Sequence, residues 1–160
     1  MNWNDTPAGR AFVQDVAERI VADLGPDELE IFPELAEDYF AGELPPERVT
    51  GEDPLGFGLN ETLEAISPAA LASASAVVGW ALGEVLKAAQ GEAAELIKAR
   101  IKTLFTKADA ALPGSSSANL TDAQLAHVRK LTTEIAGRYG LRPAKAEKLA
   151  LSLVGALATS

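Results

Sequence analysis

The 160-residue chain contains no cysteine and a single histidine, His127. Without thiols there is no disulfide, no thiolate nucleophile and no cysteine-held zinc. A metal site built on histidines needs a second one, and the sequence has none. A Ser-His-Asp system would need His127 beside a serine and an acid. It falls mid-helix on the flank of an apolar stripe, and no nucleophile-elbow motif occurs. There is no P-loop and no dinucleotide fingerprint: Gly56-Phe57-Gly58 lacks both the third glycine and a preceding strand. Carboxylates crowd at Glu34, Glu37 and Asp38 and again at Glu52 and Asp53, but without calcium-loop spacing. The helix dipole alone favours acids in such first turns. These absences lead us to expect no enzyme, no cofactor and no metal site.

Aromatic residues make up 6% of the chain, and no stretch sustains the period-two alternation of a half-buried strand. The N-terminus, MNWNDTPAGRAFVQ, lacks a basic segment leading into an apolar one, so no signal peptide is expected. With the missing cysteines, this fits a cytoplasmic chain.

Basic charge is scarce at the front. Residues 1–65 carry 16 acidic and 3 basic side chains, a balance of −13, whereas residues 66–120 balance at +1 and residues 121–160 at +3. The simpler reading is a well-solvated acidic face. The sharper one is that the N-terminal third docks on a basic partner, or on the basic half of a second copy.

What is present is helix-forming. Thirty residues are alanine, which loses no side-chain entropy in a helix. A first helix is predicted from Pro7 to Leu24, capped by Thr6 or Asp5, with Phe12, Val13, Val16, Ile20, Val21 and Leu24 on one stripe and Gly25-Pro26 as its stop. An acidic helix or pair of turns follows, restarting at Pro33 and ending at Gly42, with Leu29, Phe32, Leu35, Tyr39 and Phe40 on its apolar side. Residues 43–59 are rich in proline and glycine and read as a long loop, with Leu55 and Phe57 expected to anchor it on the core. Ser67-Pro68 reads as a cap and first position of a long central helix, running to about Phe105 with a bend near Gly91. Its second half is amphipathic, with Ile97, Ile101, Leu104 and Phe105 on one face. Pro113-Gly114-Ser115-Ser116-Ser117 reads as a linker. Thr121 with Gln124 matches a capping box. The next helix carries Leu125, Val128, Leu131, Ile135 and Tyr139, closes at Gly140, and hands over at Pro143 to a last helix through Leu149, Leu153, Val154 and Leu157.

Two stretches invite a functional reading. Residues 65–83 are uncharged, and Ser75, Gly79 and Gly83 recur every fourth residue. Small residues at that spacing let helix backbones approach closely, in lipid or in a tight bundle. The run is long enough to span a bilayer, yet its serines and alanines suit a core helix or a self-association face better. Residues 135–149 have the outline of a helix-turn-helix. Any glycine-turned hairpin shares that outline, and a net charge of −9 opposes phosphate binding. Nucleic acid is therefore the weakest of the partner readings.

One resemblance covers most of the chain. An acidic segment ends in Tyr39-Phe40, followed by Pro54-Leu55-Gly56-Phe57-Gly58-Leu59, an alanine-rich central helix and a basic one. Gly140-Leu141, Ala146, Leu149-Ala150 and Leu153-Val154-Gly155-Ala156-Leu157 then close the pattern. This order resembles small uncharacterised helical proteins of actinobacteria, some of them in conflict- or defence-type gene neighbourhoods. The resemblance implies an accessory component working beside a separate effector. It transfers no functional residue.

The sequence thus predicts an all-α bundle of five or six helices, with a long alanine-rich central helix and a C-terminal helical hairpin. Residues 1–112 form the acidic helices and central helix, 113–120 a flexible linker, and 121–160 a hairpin packed on the same domain. The expected function is a non-enzymatic interaction or regulatory module with a protein partner, either a basic surface or its own copy. The alternatives are a membrane-active or self-assembling protein using residues 65–105 and peripheral to a membrane, and a DNA-associated regulator.

Overall fold

A computed structural model describes residues 6–42, 66–85, 93–109 and 121–159. Among the described residues there are six α-helices and no strand.

Helix α1 spans Pro7–Leu24. The Thr6 hydroxyl oxygen accepts from the Gly9 amide at 3.1 Å, and Pro7, whose missing N–H costs nothing there, opens the first turn. Phe12, Val13, Val16, Ala17, Ile20 and Val21 are buried along one stripe. Gly25 ends the helix, and Pro26–Glu28 form a single 3-10 turn. Helix α2, Phe32–Phe40, buries Phe32 and Ala36 and stops before Gly42, whose φ of 77° suits glycine.

Helix α3, Ile66–Trp80, continues into a π-helical turn over Ala81–Val85. Helix α4 starts afresh and spans Ala94–Asp109. Helix α5, Asp122–Arg138, carries the full capping box: Thr121 and Gln124 exchange bonds of 2.9 and 3.1 Å. Gly140, at φ 87°, turns the chain into α6, Pro143–Thr159. The expected bend near Gly91, the linker at 113–120 and the loop anchors Leu55 and Phe57 lie outside the described residues.

Four helices form a ring: α1 packs on α3, α3 on α5, α5 on α6, and α6 back on α1. Helix α2 leans on α3, and α4 lies along α6. One hydrophobic cluster runs through all six, from Phe12 to Ala158. Helix α3 has buried residues around most of its circumference, as a helix apolar on every side must in water. Helix α4 does the opposite, burying Ile97, Ile101, Leu104 and Phe105 on one face against α6. Buried hydroxyls are few. Thr132 donates to the Val128 carbonyl at 2.8 Å, whereas the Ser73 hydroxyl has no hydrogen-bond partner among the described residues.

Candidate interaction surfaces

The start of α3 is held by a residue from far upstream. The Glu28 carboxylate accepts from the amides of Ile66 and Ser67, at 3.0 and 2.9 Å, and from the Ser67 hydroxyl at 2.8 Å. Ser67 thus donates its hydroxyl to an acid instead of capping its own helix, which corrects the expectation for Ser67-Pro68. A carboxylate at a helix N-terminus satisfies orphan amides and meets the positive end of the helix dipole. The joint is tight. A Cβ at Gly25 would lie 3.1 Å from Ile66 and 3.2 Å from the Glu28 carboxylate.

Around this joint lies the acidic layer. Residues 6–42 carry nine acidic and two basic side chains. Seven of the acids are exposed: Asp15, Glu18, Asp23, Asp27, Glu30, Glu34 and Glu37. Between α1 and α2 runs an open cleft of ≈ 490 Å³, lined in part by Arg10, Pro33, Glu37 and Phe40. Phe40 is half-buried, has Arg10 5.9 Å above its ring, and meets Tyr39 edge-on at 5.4 Å. Tyr39 is anchored in turn to α3 by a hydrogen bond with Ser75. Burial raises its pKa above the usual tyrosine value, against the opposing effect of that bond.

The C-terminal helices carry a basic excess. Residues 93–109 and 121–159 carry ten basic and five acidic side chains. Lys102, Arg129, Lys130, Arg138, Arg142 and Lys148 are exposed. Of the two lysines that a helix-turn-helix reading needs, Lys148 is exposed and Lys145 half-buried. His127 is exposed on α5, and its ring lies 5.0 Å from that of Trp80 on α3. A second open groove, ≈ 570 Å³, separates α1 from α6 and has Leu151 at its edge.

The small-residue stripe is split by the fold. Ser75 faces Tyr39 within the chain, Gly79 is half-buried, and Gly83 is exposed, where an added Cβ would meet nothing within 4 Å. No group of three or more histidine, aspartate or glutamate side chains able to hold a metal ion occurs among the described residues. One helical run among them, Ile66–Val85, is long and apolar enough to cross a membrane, with mean hydropathy 1.4. Sequence reasoning did not find the Glu28 joint, because its partners are 38 and 39 residues apart. It also did not find the Phe40 cleft, which depends on how α2 settles against α1. No protein-family model, curated protein or solved structure matches this chain.

Proposed function

We propose that this chain is a non-enzymatic interaction module that presents the acidic α1–α2 layer to a basic protein partner. The observation that carries this is the segregation of charge: the acids of residues 6–42 lie together on α1, α2 and the turn between them. The Phe40 cleft supplies a partly exposed aromatic anchor within that layer. Interfaces combine such anchors with a charged rim that steers encounter. The partner is then a basic segment with an apolar side chain that fits beside Phe40. The reading is compatible with a cytoplasmic accessory component.

The test compares capture from native cells by the wild-type chain and by a Glu30→Lys, Glu34→Lys, Glu37→Lys variant. The expected result is a partner held at low salt, released as salt rises, and lost from the variant. Identical capture by both chains rejects the proposal.

A second reading has its own observation. Ile66–Val85 carries one charged side chain, Glu84, and 67% of its most apolar window is sheltered inside the bundle. Exchanging that shelter for lipid would let α3 insert while the basic α4 meets anionic head groups. Flotation of a Trp3→Phe chain with anionic liposomes, with the fluorescence of Trp80 as the reporter, tests this. A blue shift in the floated fraction supports insertion, and an unchanged spectrum with no flotation removes it.

A further inference from the structure

The run that is long and apolar enough to cross a membrane, Ile66–Val85, is fastened at its start. Its charged side chain, Glu84, lies near the other end, exposed on the π-helical turn. The first turn is inside the protein: Ile66, Ser67, Pro68 and Ala69 are all buried. The first amides of a helix have no acceptor within it. Glu28 accepts from two of them, those of Ile66 and Ser67, and from the Ser67 hydroxyl.

The position of Glu28 gives these bonds a particular consequence. It stands on the 3-10 turn between α1 and α2, so a separate element makes the fastening. The backbone bonds inside α3 travel with the helix wherever it goes, and a helix entering lipid keeps them. Apolar side chains exchange protein contacts for hydrocarbon ones. The three bonds to Glu28 exist in the bundle and not in the released state. Contacts that differ between two states are what set the balance between them.

We propose that Glu28 is an autoinhibitory latch, holding Ile66–Val85 in the bundle and out of lipid. The proposal rests on the membrane reading above. Breaking this one joint favours insertion without altering the inserting segment.

Flotation of the full chain with vesicles of phosphatidylcholine and phosphatidylglycerol at neutral pH tests the latch. All chains carry Trp3→Phe, so that Trp80 reports. Glu28→Ala should raise the floated, blue-shifted fraction about tenfold over the parent chain, the change in balance that loss of a helix cap brings. Glu28→Gln keeps one acceptor oxygen and the side-chain shape, and should give a smaller rise. Two further variants separate the latch from simpler causes. Glu30→Ala removes an exposed acid beside the joint and should float like the parent. Gly140→Ala strains the turn between α5 and α6, loosening the bundle away from the joint, and should also float like the parent. Equal insertion by the parent and Glu28→Ala overturns the latch while the membrane reading stands. A rise with Glu30→Ala or Gly140→Ala as large as that with Glu28→Ala overturns it too, since charge or general loosening would then suffice. If no chain floats or shifts its spectrum, the membrane reading fails and the latch falls with it.

Discussion

Replacing Glu28 by alanine removes one carboxylate and strands three donors at the head of α3. Water can reach a half-buried position, so the cost lies near that of a lost helix cap, about 1–2 kcal/mol. The urea midpoint should fall accordingly, while Glu30→Ala, at an exposed position two residues on, leaves it nearly unchanged. Tyr39 gives a second test, this time against pH. Its folded pKa is raised by burial, so the folded chain keeps the phenol proton after unfolded tyrosine has lost it. That contribution is complete below the usual value of 10.0 and is lost as pH rises through the folded value. Tyr39→Phe should therefore lose about 1 kcal/mol at neutral pH, from the missing Ser75 bond. Its stability should then fall less steeply than wild type between about pH 9 and 11, measured as urea midpoints across that range. The two residues also mark what a sequence can reveal about local chemistry. Thr6 and the Thr121–Gln124 box were legible because donor and acceptor lie three residues apart. Glu28 was one acid among many until the chain folded it onto Ser67.

At the level of elements, glycine separates two kinds of backbone demand. Gly140 sits at φ 87° between α5 and α6, a conformation that a Cβ disfavours by about 1–2 kcal/mol. Gly137 lies three residues earlier, inside α5, exposed and with open space where a Cβ would go. Gly140→Ala should thus lower the thermal midpoint, and Gly137→Ala should raise stability by about 0.5–1 kcal/mol through better helix propensity. If both moved the same way, the turn would not be held as described. The amphipathic helices α1, α4, α5 and α6 were readable because each has one wet face, which writes the 3.6-residue period into the sequence. Helix α3 was readable as a helix by composition. Its partners were not readable, because a helix buried on most sides has no polar face to mark its orientation. The same reason divides the Ser75, Gly79 and Gly83 stripe. Equal spacing in sequence became one bonded, one half-buried and one exposed position once α2 covered the first of them.

Across the whole molecule, the ring of α1, α3, α5 and α6 makes the halves of the chain depend on each other. The acidic N-terminal helices complete the burial of the C-terminal hairpin through the α1–α6 contact, and α5 closes the other side of α3. Charge asymmetry was visible in the sequence as a count; in the fold the exposed acids crowd α1, α2 and the turn between them, while α4, α5 and α6 expose an excess of cations. The site readings were less accessible, since the Phe40 cleft and the Leu151 groove each need two helices that the sequence does not pair. The ring has a direct consequence for unfolding. Leu153 of α6 is fully buried in the common cluster, while Trp80 reports from α3. Truncation to Leu153→Ala should cost about 2–5 kcal/mol, a large part of the roughly 5–15 kcal/mol that holds a domain together. In a Trp3→Phe background, so that Trp80 is the sole indole, urea unfolding of this variant should be followed by fluorescence and by far-UV circular dichroism. Both curves should move to lower urea together and coincide, because loss at α6 removes support from α1 and α5, and through them from α3. Fluorescence holding its wild-type midpoint while helicity falls would mean that α1–α3 stand without the hairpin. The ring would then be two units in contact, not one cooperative fold.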